Sequence, residues 1–283
     1  MQIERLCIVG LGLMGGSLAL ALRPFISHLA IVDTSPQTLA EAQKFADLAT
    51  ADFAEGVRDA DLVILATPVR VILNLLTQLP TIWPDGCLVM DLGSTKTEIC
   101  QTMEQLPSTF QAIGGHPMCG KETAGFDHAE PGLFVGETFV LCENGRTTPH
   151  IEAIAHQIIE AIGAKPLNLS PQIHDNMVAA VSHLPYLVSA ALMQTAAAQA
   201  DNQLWQVSAS GFRDTTRLAG SDPQMLLDIL VTNRTAVTDQ IDKLQGQIIK
   251  LKQLLLWGDE TEIADWLAET RRHHTTYRKV KQQ

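Results

Sequence analysis

Gly10-Leu11-Gly12-Leu13-Met14-Gly15 stands between an apolar run, Leu6-Cys7-Ile8-Val9, and a helix-forming stretch, Ser17-Leu18-Ala19-Leu20-Ala21-Leu22. Glycines at this spacing serve three ends where a strand turns into a helix: a tight turn, close approach of a pyrophosphate to bare backbone, and close packing of the helix on the strand. The unpaired N–H groups and partial positive charge at the helix N-terminus then face the phosphates. A second apolar run, Leu29-Ala30-Ile31-Val32, ends in Asp33, 23 residues beyond Gly10. That is the separation at which a carboxylate meets the ribose hydroxyls of a bound dinucleotide. The set points to redox chemistry on a dinucleotide, the bland alternative being an ordinary strand–turn–helix corner.

Five further groups have residue types that can do chemistry. Thr67-Pro68 and Asp91-Leu92-Gly93-Ser94 follow the apolar runs Leu62–Ala66 and Cys87–Met90, and in open α/β sheets ligands lie beyond the carboxyl ends of the strands. Ser94 or Thr95 can equally cap a helix from Lys96 onward. In Gly114-Gly115-His116-Pro117-Met118-Cys119-Gly120 a histidine is flanked by glycines that permit close approach and by a proline that fixes the chain beyond it. His183, in Ser182-His183-Leu184-Pro185, lies in an apolar helical stretch that Pro185 should kink, making it either a satisfied core histidine or part of a site wall. Arg213 and Arg217 are spaced i and i+4; their bland reading is a solvated helix face paired with Asp214.

The elements that must position these residues divide at about residue 168. Up to that point short apolar runs alternate with helical patterns, which predicts a doubly wound parallel sheet, with 138–142 and 166–169 as added edge strands. After Ser170-Pro171 the pattern is helical: one long apolar helix over 172–200, amphipathic helix from Pro223 to about Leu256, and a last helix over 260–272. The expected architecture is α/β, a Rossmann-like dinucleotide-binding domain over 1–168 followed by an all-helical domain over 169–283, packed with a cleft between them. Ile241, Leu244, Ile248, Leu251 and Leu255 form one apolar stripe, and Ile249, Leu254, Leu256 and Trp257 widen it beyond a narrow seam, a surplus covered either by a second copy of the chain or by the helices over 172–200 and 260–272.

With 283 residues, 46% of them apolar, the chain can bury a full core, and its length suggests two domains. A net charge of −11 disfavours nucleic acid and anionic lipid as partners, so an anionic substrate must meet a local positive cluster. Five cysteines without a CxxC pair or zinc-ligand spacing read as reduced thiols in a cytoplasmic protein, with no metal site. The opening residues lack a signal-peptide pattern, and the apolar stretch Met177–Met193 is interrupted by Ser182, His183 and Pro185, short and polar for a membrane span.

Together, Gly-Leu-Gly-Leu-Met-Gly-Gly-Ser at 10–17, Asp-Leu-Gly-Ser-Thr-Lys at 91–96, Gly-Gly-His-Pro-Met-Cys-Gly at 114–120, Ser-His-Leu-Pro at 182–185 and Gly-Phe-Arg-Asp-Thr-Thr-Arg at 211–217 resemble the prephenate/arogenate dehydrogenase family of tyrosine biosynthesis, in its order and spacing. The resemblance implies a helical C-terminal domain that forms a homodimer and NAD-dependent oxidative decarboxylation of prephenate to 4-hydroxyphenylpyruvate, or of L-arogenate to tyrosine with NAD or NADP. It makes His116 the catalytic histidine, Ser94 its partner near the nicotinamide, and Arg213 and His183 the substrate binders. Cofactor contacts are expected from Gly10, Gly12, Leu13, Met14, Gly15, Asp33, Thr67 and Pro68. The chain departs from the family's pattern at Cys119, often alanine, and at Lys121, often small and polar. Glu122 is a candidate partner for a substrate ammonium.

Physical chemistry supports these roles. A neutral histidine, with a reference pKa of about 6.5, suits removal of a hydroxyl proton, and a guanidinium grips a carboxylate with two parallel hydrogen bonds. NAD is favoured over NADP because Asp33 repels a 2′-phosphate and no arginine lies between Arg23 and Arg58 to bind one. Two other readings compete. The 3-hydroxyacid and 6-phosphogluconate dehydrogenases share the Gly-Leu-Gly-x-Met-Gly turn, but they rely on a lysine in the long helix, and here none lies between Lys165 and Lys243. A non-catalytic dinucleotide-sensing dimer would not need His116, Ser94 and Arg213 together.

Overall fold

The structure is a computed structural model that describes residues 3–121, 123–199 and 203–281; Glu122 lies outside the described residues. By its internal contacts the chain falls into two compact units, Met1–Arg234 and Thr235–Gln283.

The first unit is built on strands β1 (Arg5–Val9), β2 (His28–Val32), β3 (Leu48–Thr50), β4 (Leu62–Leu65), β5 (Leu88–Asp91), β6 (Gln111–Pro117), β7 (Thr138–Cys142) and β8 (Lys165–Asn168). They form one sheet in the order β3-β2-β1-β4-β5-β6-β7-β8. Every neighbouring pair runs parallel except β6 and β7. The chain therefore reverses its winding between β1 and β4, where Val9 is in register with Val32 on one side and Leu65 on the other. Open α/β sheets bind their ligands at such a switch point.

The strands read as unbroken apolar runs because both faces of the sheet are covered. Leu6, Ile8, Leu29, Ile31, Leu62 and Ile64 enter one core with Leu18 and Leu22 of the helix Leu13–Leu22 and Ile154 and Ile158 of the helix Pro149–Ala161. The residues between them, Cys7, Val9, Ala30, Val32, Val63 and Leu65, enter a second core with Ile72 and Leu76 of the helix Val69–Ile82 and Ile99 and Met103 of the helix Thr97–Glu104. All five cysteines are free thiols, four of them buried.

Beyond β8 the chain is helical, as the pattern predicts, but the breaks differ. The glycine-flanked histidine segment, read from sequence only as a place of close approach, forms β6. Residues Pro171–Ala197 make one helical run in which Ala179–His183 is a π turn. The wider turn ends where Pro185 lacks an N–H, so the missing bond is absorbed without a break. This run is long and apolar enough to cross a membrane by length and composition, longer than the stretch Met177–Met193. It nevertheless buries His174, Asp175, His183 and Ser189, polar groups that are costly in hydrocarbon. The amphipathic helix expected from Pro223 comes as two segments, Pro223–Thr232 and Arg234–Trp257, interrupted at Asn233. The last helix runs over Glu260–Lys281, past the expected end at Arg272, because neither glycine nor proline follows to stop it.

Candidate active site

Parallel strands β1, β4, β5 and β6 bring their carboxyl ends to one edge of the sheet. That edge carries the glycine turn, Thr67, Ser94 and His116. Gly10 has φ +94°, and a Cβ there would lie 2.8 Å from the Ala66 carbonyl oxygen. A Cβ on Gly15 would come within 1.9 Å of the Gly10 oxygen, whereas one on Gly12 would meet nothing within 4 Å. Gly10 thus makes the turn, Gly15 the helix contact, and Gly12 leaves an open face. The helix Leu13–Leu22 starts from Gly12 without a side-chain cap, leaving its first N–H groups for an anion.

Asp33 closes the turn from β2. Its Oδ2 accepts the N–H of Leu11 at 2.7 Å and its Oδ1 that of Ser35 at 2.8 Å. Thr67 Oγ1 is buried with no hydrogen-bond partner among the described residues, a polar group that a bound ligand can satisfy. Pro68 begins the helix Val69–Ile82 as its N-cap. Leu13 is buried, and Met14 packs part-buried against the core.

Between β5 and β6 lies a fully buried ion pair. Lys96 Nζ donates to Asp91 Oδ2 and, at 2.7 Å, to the Gly115 carbonyl. Asp91 also accepts the N–H groups of Gly93 and Gly115. Burial pushes its carboxyl up, and the Lys96 ammonium and these N–H groups pull it back. The pair ties the segment carrying Ser94 to the strand carrying His116.

His116 is half-buried near the end of β6. Its Nδ1 lies 2.8 Å from Nε2 of buried His174, whose Nδ1 lies 2.8 Å from Asp175 Oδ1. Asp175 accepts two backbone N–H groups as well, from Lys96 at 2.7 Å and Thr97 at 2.8 Å. These are the first donors of the helix Thr97–Glu104, which has no side-chain cap of its own. The capping role considered for Ser94 or Thr95 is filled by a carboxylate 78 residues downstream of Thr97. Ser94 is left half-exposed, and Thr95 bonds the Thr232 hydroxyl at 2.9 Å.

Burial would raise the Asp175 carboxyl, but the bonds from His174, Thr97 and Lys96 outweigh it and hold it below its ordinary value. His116 is held well below the usual histidine value by burial first, then by His174, Lys96 and His183. At neutral pH its imidazole is uncharged. His183 is buried and lowered to about 4, chiefly by burial, with Asp175 opposing and His174 adding. Its Nδ1 accepts from the Asn233 side-chain amide at 3.2 Å, and Asn233 Nδ2 also donates to the Asp175 backbone carbonyl at 2.8 Å.

Arg213 stands apart from this network. It is exposed on the helix Ser210–Thr216, with Nε donating to Asp214 at 3.1 Å, the pairing of its bland reading. Sequence reasoning missed His174, Asp175, Lys96 and Asn233. The one available signal was the adjacent His174-Asp175 pair opening an otherwise apolar helix, just after its Ser170-Pro171 start.

The prephenate dehydrogenase nucleotide-binding domain family matches residues 18–167, and the prephenate dehydrogenase dimerization domain family matches residues 170–269. The chain is 33% identical to the prephenate dehydrogenase of Bacillus subtilis over 88% of its own length and 69% of that protein's. Among solved structures it is similar to the prephenate dehydrogenase of A. aeolicus in complex with hydroxyphenyl propionate and NAD+ (TM-score 0.91, 29% identity, 98% of this chain and 99% of that one). It is also similar to the arogenate dehydrogenase of Synechocystis (TM-score 0.82, 33% identity, 96% and 99%). With both halves matched, and the dinucleotide turn and His116 on one sheet edge, the chain belongs to the prephenate dehydrogenase family of NAD(P)-dependent oxidoreductases.

Proposed function

We propose that this protein catalyses the NAD-dependent oxidative decarboxylation of prephenate to 4-hydroxyphenylpyruvate and CO2. The observation that carries the reading is an uncharged, half-buried His116 on the same sheet edge as the glycine turn. Gly10, Gly12 and Gly15, the uncapped helix start and the unpartnered Thr67 hydroxyl fit a dinucleotide, with Leu13, Met14 and Pro68 flanking it and Asp33 toward the ribose. Bound there, the nicotinamide supplies the hydride acceptor.

The protein's own tasks are few. His116 takes the proton of the substrate's ring hydroxyl while the adjacent C–H bond breaks as a hydride. The ring carboxylate leaves as CO2, and its bonding electrons complete the aromatic ring. The proton returns from His116 to the same oxygen as the phenol forms, so none is released. Arg213 and His183 hold the substrate, and Ser94 orients the hydroxyl or the imidazole.

L-Arogenate is the second reading, favoured by 33% identity to an arogenate dehydrogenase over 96% of the chain. Steady-state kinetics with both substrates and both cofactors test the proposal. Reduction of NAD on prephenate supports it, preference for arogenate selects the second reading, and turnover of neither refutes both.

The functional division follows the sequence pattern, 1–168 for the cofactor and 169–283 for substrate and dimerisation. A homodimer is supported by the match to a dimerization domain, by the exposed face of the run Pro171–Ala197, and by exposed Ile248, Leu255, Leu256 and Trp257. Five free thiols suit a cytoplasmic location.

A further inference from the structure

We infer that His174 and Asp175 act as positioning residues that fix the tautomer of His116, keeping its Nε2 unprotonated and open to the substrate. The inference rests on the reading of His116 as the proton acceptor. The order of hydrogen bonds leaves little freedom. Asp175 is ionised and can only accept, so the proton in its bond with His174 sits on His174 Nδ1. With that proton the single one on the His174 ring, Nε2 offers a lone pair, and His116 then donates to it from Nδ1. The only remaining lone pair on the His116 ring is at Nε2.

The opposite arrangement, with His116 protonated at Nε2, would aim two lone pairs at each other across 2.8 Å. Charged groups around the pair do not change the outcome. Lys96 is neutralised by Asp91, and His183 accepts at Nδ1 from Asn233, so its own proton is on Nε2. The chain of bonds ends at a buried carboxylate that also caps the helix Thr97–Glu104. It therefore serves orientation and not proton export, in keeping with a reaction that returns its proton to the oxygen it came from. The same carboxylate holds the backbone two residues beyond Ser94, so one group sets the spacing of Ser94 and His116.

The test is 15N NMR of protein labelled on histidine, with the His116 signals assigned by their loss in His116→Asn, combined with kinetics of His174→Leu and His174→Gln. The wild type should show His116 protonated at Nδ1, and His174→Leu should shift that proton to Nε2. Its kcat should fall about 10²–10⁴-fold, approaching the loss that a wrong histidine tautomer causes in a serine protease, with KM and the Kd for NAD little changed. Glutamine can place its amide oxygen near the position of the lost Nε2, so His174→Gln should recover the Nδ1–H tautomer and part of kcat. Nε2–H in the wild type would overturn the inference, as would full kcat in His174→Leu or equal losses in the Leu and Gln variants. Because the NMR readout needs no turnover, an Nδ1–H wild type together with an active His116→Asn would instead overturn the reading of His116 as the base.

Discussion

Replacing Lys96 with methionine keeps an unbranched side chain of nearly the same length and removes the ammonium group, with its charge and its hydrogen bonds. Lys96 and Asp91 are both inaccessible to solvent. Breaking a buried pair by removing one partner costs about 3–5 kcal/mol, because the other charge stays buried without compensation. Asp91 would keep the N–H groups of Gly93 and Gly115, and the Gly115 carbonyl would lose its ammonium donor. At about 2–4 °C per kcal/mol for a chain of roughly this size, the thermal midpoint should drop by about 6–20 °C.

The sign of the pH dependence is fixed. Burial already pushes the Asp91 carboxyl up with Lys96 present, and without it the folded value rises further above the unfolded one. Protonation then stabilises the folded variant fully below the unfolded pKa, and this contribution fades as pH rises through the folded pKa. The deficit of Lys96→Met should accordingly be largest near neutral pH and shrink on acidification. Thermal unfolding followed by circular dichroism at several pH values, with the Lys96→Met, Asp91→Asn double variant as control, measures it. A loss below about 1 kcal/mol, or one indifferent to pH, would refute the reasoning.

Asp33→Ser should shift the preference from NAD towards NADP and weaken NAD, because the Leu11 N–H loses its acceptor along with the ribose hydroxyls; an unchanged ratio of kcat/KM values would refute this. Arg213→Ala should raise the KM for substrate and leave the Kd for NAD unaltered; equal losses would place Arg213 on the cofactor side. Light scattering at micromolar concentration should report about twice the 30.8 kDa chain mass, and an active monomer would refute the dimer.

The parts legible in the sequence are those fixed by local physics. The glycine turn could be assigned glycine by glycine because each role depends on the backbone within one strand–turn–helix unit. Strands β1, β2, β4 and β5 could be read because burial on two faces leaves no polar interruption. Strand β6 was hidden by the glycines its packing requires: a Cβ at Gly115 would lie 2.6 Å from the Asp91 carbonyl oxygen, and one at Gly114 would lie 2.9 Å from Cys100 Sγ. Strand β3, only Leu48-Ala49-Thr50, is too short for a pattern.

The site's supporting network was illegible for a different reason. A lysine or a His-Asp pair is expected at the surface, and nothing local says that Lys96, His174 and Asp175 are buried against one another. Only the fold brings residues 91–97, 115–116 and 174–175 together.

The central claim, that His116 is the base in a hydride transfer from a cyclohexadienyl ring, is tested most directly by turnover of purified His116→Asn with prephenate and NAD, read as reduced cofactor beside the Kd for NAD. The account predicts kcat lower by about 10²–10⁴-fold with NAD affinity retained. A variant that keeps most of the wild-type turnover would contradict it.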